Sequence, residues 1–289
     1  MTLSPGLDPR MTAYRPDLAA ADLRGSVVAD RYAEGMPTRV LCPRLAVRET
    51  PDHRAPWTSE LLMGEGFVVY DRQDGWAWGQ VEADDYVGYV RDDGLGDAGL
   101  APTHAVAALA ALVFPEPDLK REPVATLSFG SRVTVVDHSG KYARLADGGW
   151  LACVALAAPD TVAPDYVATA ARFFGVPYLW GGRSSAGLDC SGLVQVALAA
   201  AGIGAPRDSY QQERAVGDAV PADRWNELQR GDLVFFPGHV GFMADATTLL
   251  HANATAMAVS CDRLADVVRR IEIAEGRSDA ITMVRRLSR

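Results

Sequence analysis

The sequence predicts an α+β chain: two small duplicated antiparallel β-barrels, then a larger domain in which a buried helix precedes a sheet. Three observations lead there. Residues 61–79 are repeated in residues 127–145, the stretch AAPDTVAPDY (157–166) has the composition of a linker, and beyond it short alternating segments give way to helix followed by strands.

The repeat comes first. An offset of 66 positions lays LLMGEGFVVYDRQDGWAWG on LSFGSRVTVVDHSGKYARL, matching Leu61 with Leu127, Gly64 with Gly130, Val69 with Val135, Asp71 with Asp137 and Ala77 with Ala143. Each copy runs on to a Gly-aromatic-apolar step, Gly88-Tyr89-Val90 and Gly149-Trp150-Leu151. Apolar alternation broken by Gly and Asp turns marks short antiparallel strands. Units of roughly 60 residues lie near the smallest size at which one core is viable. The expected organisation is an N-terminal segment (1–35), a first barrel (36–99), a second barrel (100–159) and a third domain (160–289). Trp76, Trp78 and Tyr89 read as barrel core rather than as a ligand patch.

In the third domain, DYVATAARFFG reads as a helix ended by Gly175. SGLVQVALAAAG is apolar nearly all round and so belongs inside. GDLVFFPG, HVGFMAD, TTLLHANA, AMAVSC and AITMVRRL follow as β segments, which completes an α+β pattern. The basic stretches VVRRIEIAEGR and MVRRLSR read as solvated surface.

Bulk composition excludes several classes. A net charge of −9 over 289 residues disfavours nucleic acid, whose phosphates would be repelled. The N-terminus MTLSPGLDPRMTAYRPDLAAADLRG has prolines and aspartates where a signal peptide needs an apolar run. The longest near-apolar stretch, Ala105 to Phe114, is too short for a bilayer. The expectation is a cytoplasmic protein without a membrane partner. Four cysteines lie far apart with no CxxC, which gives a zinc or thioredoxin-like reading no support. Cys42, Cys153 and Cys261 sit in apolar settings and read as reduced, mostly buried thiols.

Cys190 differs. Gly181, Gly182 and Gly187 allow a tight turn before Asp189-Cys190-Ser191, and the buried helix starts at or beside the cysteine. The unpaired N–H groups and dipole of a helix start favour negative charge on sulfur, lowering the thiol pKa and making a nucleophilic thiolate. A structural buried cysteine is the plainer reading, and a neighbouring base decides between them. His239 and His251 lie on segments able to form a hairpin. A turn centred on Asp245 makes them direct cross-strand partners, with Cβ atoms about 5 Å apart on one face. One imidazole then orients the other. His53, His104 and His138 lie in the other domains and read as surface residues.

PYLWGGRSSAGLDCSGLVQ, GDLVFF, GHVGF and LLHA, in that order, resemble the NlpC-type cell-wall cysteine peptidases across nearly all of 165–289. The resemblance implies a papain-like fold in which Cys190 is nucleophile, His239 base and His251 the third, orienting residue. Tyr178 would polarise the attacked carbonyl or position substrate. Cysteine before histidine separates the chain from permuted acyltransferase relatives. The run Pro206-Arg207-Asp208-Ser209-Tyr210, with two N-terminal bacterial SH3-like domains, is similar to the cytoplasmic γ-D-glutamyl-L-diamino-acid endopeptidases, also called dipeptidyl-peptidase VI. That similarity implies a murein peptide with a free N-terminal L-Ala as substrate. Its buried ammonium needs an anion, which Asp208 would supply, with Ser209 hydrogen-bonding nearby. Asp189 and Ser191 would contact the D-Glu portion; capping the helix is the structural alternative for both, and the two roles can coexist. Glu65 and Tyr86 of the first SH3-like domain would close the pocket, with a solvated surface glutamate as the alternative for Glu65. No metal or organic cofactor is implied. Two other readings stay open: a lytic endopeptidase on intact peptidoglycan with the SH3-like domains as wall-binding modules, and a non-catalytic binding protein on the same scaffold.

Overall fold

The computed structural model describes residues 6–276 and 278–288, so residues 1–5 of the N-terminal segment lie outside the described residues. The chain divides into two compact units between Pro159 and Asp160.

In the first unit, the N-terminal segment is folded: Tyr14–Arg15, Leu18–Ala20 and Arg31–Ala33 form a small sheet. Its Leu18 and Ala20 pack with Trp78, which explains why that tryptophan is core and not a ligand platform. Seven strands between Met36 and Asp97 then enclose Val47, Leu61, Phe67, Val81, Tyr86 and Val90. Strands between His104 and Ala157 enclose Val106, Leu127, Leu145 and Leu151 in a second core. The duplication is visible strand by strand. Arg44–Arg48 corresponds to Ala110–Phe114, and Trp76–Val81 to Tyr142–Leu145, at the offset of 66. Beyond that point the offset is 61, so that the 3₁₀ turn Asp92–Gly94 matches Cys153–Ala155. The first copy carries five extra residues in the connection after Trp76–Val81, the stretch that ends in Tyr86.

The second unit opens with α1 (Tyr166–Ala171), N-capped by Asp165. A short hairpin, Arg183–Ser184 with Gly187–Leu188, leads into α2 (Cys190–Ala200), which is buried along nearly its whole length. α3 (Ser209–Ala215) follows, then β1 (Asp218–Ala219), β2 (Leu233–Phe236), β3 (His239–Met243), β4 (Thr248–Asn253), β5 (Ala258–Arg263), α4 (Leu264–Glu275) and β6 (Met283–Arg286). The strands form one sheet in the order β1-β6-β2-β3-β4-β5, and α2 packs against β3 and β4.

Two parts of the basic C-terminal region differ from the solvated surface expected. VVRRIEIAE lies within α4, whose Val267 is buried against Val234, Phe236, Met243 and Leu249, with Leu264, Val268 and Ile271 packed beside it. MVRR is the inner strand β6, and Arg286 grips the buried Asp232 with two contacts of 2.7 Å. Both stretches alternate charge with apolar residues, so their charged faces conceal an inward stripe. Cys261 is exposed rather than buried, because strand alternation turns it away from the face that carries Ser260 and Asp262.

Candidate active site

Asp189 N-caps α2, and Cys190 is the first residue of that helix. The Asp189 carboxylate is fully engaged. Oδ1 accepts from Gly192 N–H at 2.7 Å and Oδ2 from Gly181 N–H at 2.8 Å. Arg207, 1% exposed, donates to the two oxygens at 3.0 and 2.6 Å and also to Ser191 Oγ at 2.9 Å. Ser191 Oγ in turn donates to Asp189 Oδ1 at 3.3 Å. Asp189 makes the cap of α2, and it and Ser191 are buried, with hydrogen bonds to each other and to Arg207. Gly192 makes this possible, since a Cβ there would stand 2.2 Å from the Gly182 carbonyl oxygen.

Arg207 is not among the expected site residues, although it stands in the Pro206-Arg207-Asp208 run. The available signal was pairing: a buried arginine needs a carboxylate, and Asp189 lies at the helix start.

Cys190 is 6% exposed. The backbone N–H groups of Val240, the residue after His239, and of Ser191 favour charge on its sulfur. The expected lowered thiol pKa is not observed. Burial, reinforced by the Asp189 carboxylate, pushes it up to about 12 against the pull of the two N–H groups and Arg207. Desolvation outweighs the helix start, so the ligand-free sulfur is a thiol that needs a base. His239 is correspondingly neutral: burial, then His251, pushes its pKa down to about 3.

His239 Nε2 and His251 Nδ1 stand 2.7 Å apart, with the rings edge to face at 5.0 Å between centroids. They are not direct cross-strand partners. Phe242 pairs with Leu250 and Met243 with Leu249, which centres the β3–β4 turn on Ala246 and sets His251 opposite Gly241. Asp245 causes the shift, because its side chain accepts from the Thr247 and Thr248 N–H groups and so draws the turn one residue onward. The rings meet diagonally, and Gly241 permits it: a Cβ there would lie 2.9 Å from His251 Cβ.

Tyr178 is half-buried. Its N–H bonds the Met257 carbonyl, and Leu179 and Leu188 bond just beyond it, which pins the segment beside the strand leading into Cys190. Burial first, then Cys190 and Asp189, raise its phenol pKa, so it stays a proton donor close to the sulfur. Asp208 and Ser209 are half-buried at the start of α3; Asp208 N–H donates to Gln211 Oε1 at 3.0 Å in a capping box. Gln212 of α3 donates to the carbonyls of Ser191 and Pro206, which ties α3 to the catalytic helix.

Tyr86 and Glu65, the residues of the first barrel expected to close the pocket, both make contacts within their own unit. Tyr86 is completely buried and packs in its barrel core, with Arg10 donating to its hydroxyl at 2.6 Å. The Glu65 carboxylate accepts from Leu62 N–H at 2.8 Å and so stiffens its own turn.

The residue missed altogether is Asp262. His251 Nε2 lies 2.9 Å from its Oδ2, and Ser260 Oγ donates to the same oxygen at 3.0 Å. Nothing in the local sequence marks it, since its position follows from the β4–β5 register that pairs His251 with Ser260.

A cysteine heading a buried helix that packs on the strand led by a neutral histidine, itself hydrogen-bonded to a second histidine, fits the site of a cysteine peptidase. The NlpC/P60 family model matches residues 175–271, and that of the bacterial dipeptidyl-peptidase SH3 domain matches residues 47–95. A dipeptidyl-peptidase 6 of Lysinibacillus sphaericus is 31% identical over 227 residues, spanning 70% of this chain and 82% of the relative. A γ-D-glutamyl-L-lysine dipeptidyl-peptidase of Bacillus subtilis is 35% identical over 119 residues, 38% of this chain and 39% of that protein. The crystal structure of an NlpC/P60 family protein from Bacillus cereus superposes with a TM-score of 0.70 over 86% of this chain and 99% of its own, at 21% identity, and so shares the fold. The chain belongs to the NlpC/P60 family of peptidases and carries a dipeptidyl-peptidase-type SH3 domain ahead of its catalytic domain.

Proposed function

We propose that the chain is a cysteine endopeptidase that cuts murein peptides between γ-D-Glu and the L-diamino acid, requires a free N-terminal L-Ala, and acts in the cytoplasm on peptides released from the cell wall. The observation that carries the reading is Cys190 at the head of α2, which packs against β3, the strand that begins with His239, itself hydrogen-bonded to His251. As the sulfur attacks the γ-amide carbonyl, His239 takes the thiol proton and then delivers it to the leaving amine. Water hydrolyses the thioester with His239 again as base. The Cys190 N–H and the Tyr178 hydroxyl stabilise the oxyanion.

The substrate assignment draws support from two sources. The relative from L. sphaericus aligns over most of the chain, and that from B. subtilis is named for γ-D-glutamyl-L-lysine cleavage. Asp208 stands next to Arg207, which bonds the residues on both sides of Cys190, and supplies a half-buried acid for a substrate ammonium.

The test compares L-Ala-γ-D-Glu-L-Lys, its N-acetylated form and intact sacculi, using wild type, Cys190→Ala and Asp208→Asn. Asparagine keeps the helix cap and removes only the charge. Cleavage of the free tripeptide alone, lost in Cys190→Ala and strongly weakened in Asp208→Asn, is the expected result. Cleavage of sacculi but not tripeptide would move the activity to the intact wall, and no cleavage of either would leave a binding protein.

A further inference from the structure

We infer that Asp262 is a positioning residue that sets the tautomers of both imidazoles and so keeps His239 Nδ1 unprotonated and able to take the thiol proton. The inference rests on the peptidase reading of Cys190 and His239. His239, His251 and Asp262 lie on one face of the sheet and step diagonally across β3, β4 and β5, at 2.7 and then 2.9 Å. An ionised carboxylate only accepts hydrogen bonds. Burial raises the Asp262 pKa, but hydrogen bonds from His251 and Ser260 more than offset that and hold the carboxyl below its ordinary range.

The consequence follows atom by atom. Asp262 requires the His251 proton on Nε2, which leaves Nδ1 of the neutral ring as a lone pair. That lone pair, 2.7 Å from His239 Nε2, requires the His239 proton on Nε2. His239 Nδ1 is then the unprotonated nitrogen, free to take the thiol proton. The groups around Asp262 reinforce this order. Ser260 Oγ accepts from Asn253 Nδ2 at 2.8 Å, which commits its own proton to Asp262. Arg270, from α4, lies 3.6 Å from the other oxygen, Oδ1.

Two substitutions separate this role from mere support. In Asp262→Asn, Arg270 holds the amide oxygen on its own side and turns the NH₂ towards His251 Nε2. That donor reverses both tautomers and leaves a proton, not a lone pair, on His239 Nδ1. In Asp262→Ala, solvent satisfies either tautomer. The conservative asparagine is therefore the more damaging change. Loss of an orienting partner or of the correct tautomer costs from about 10-fold up to about 10⁴-fold. On that scale kcat should fall about 100-fold in Asp262→Asn and about 10-fold in Asp262→Ala, with KM unchanged in both, and Asp262→Glu should recover part of the loss. Histidine side-chain ¹⁵N spectra of the wild-type chain should show His239 and His251 both protonated on Nε2, with both protons moved to Nδ1 in Asp262→Asn. An Asp262→Asn variant as active as Asp262→Ala or more so, or a wild-type His251 protonated on Nδ1, overturns the inference. Cys190→Ala and His239→Ala are run alongside: wild-type turnover in either would sink the peptidase reading itself, whereas inactivity in both confines any failure to Asp262.

Discussion

Replacing Arg207 by methionine should unfold the catalytic unit well before it disturbs anything on the surface. Arg207 is 1% exposed, and its hydrogen bonds include two to Asp189 and one to Ser191. Removing one partner of a buried ion pair costs about 3–5 kcal/mol, because the other charge is left without compensation. Asp189 keeps the Gly181 and Gly192 N–H groups and the Ser191 hydroxyl, which places the loss at the lower end, about 3 kcal/mol. For a unit of roughly 130 residues that is a fall in Tm of about 10–15 °C. Scanning calorimetry of the full chain reads it directly. Adding Asp189→Asn to Arg207→Met removes the stranded charge and should recover at least half of the shift. A single variant that loses less than about 3 °C, or a double variant no better than the single, would refute the claim that this pair holds the helix start.

Three further outcomes follow from the site. Tyr178→Phe should lower kcat about 100-fold with KM little changed, as for loss of one oxyanion donor; an unaltered kcat would remove Tyr178 from the reaction. Stability should fall as pH drops below about 6.5. His239 and His251 are held neutral in the folded chain, with pKa values below the ordinary histidine value, while the unfolded chain takes up protons there. The contribution is complete above that pH and lost below it, by up to about 1.4 kcal/mol per pH unit for each histidine. Denaturant titrations of His239→Gln at pH 7 and 5 should show the dependence reduced by one histidine's share, and an unchanged dependence would contradict it. Finally, alkylation of Cys190 by iodoacetamide in the ligand-free chain should climb through pH 8 and 9, because burial keeps the sulfur protonated; a plateau at neutral pH would mean a resting thiolate.

Much was legible in the chain itself. The duplication could be read at an offset of 66, because Gly and Asp turns recur at fixed spacing and strands alternate. Cys190 could be placed at a helix start, because Asp189 is a capping residue ahead of an apolar run. The arginines of α4 are solvated as expected, and they mask in the sequence the inward stripe through Leu264, Val267 and Ile271.

What the sequence alone determined, then, is the set of local structures and the residue types delivered to the site: a cysteine on a capped helix and two histidines on neighbouring strands. Tertiary structure decided which atoms meet. A one-residue displacement of the turn at Asp245 made the histidine pair diagonal, and the β4–β5 register brought Asp262 to its end. Burial reversed the expected ionisation of Cys190, because the free energy of a charge depends on everything packed around it and not on the helix start alone.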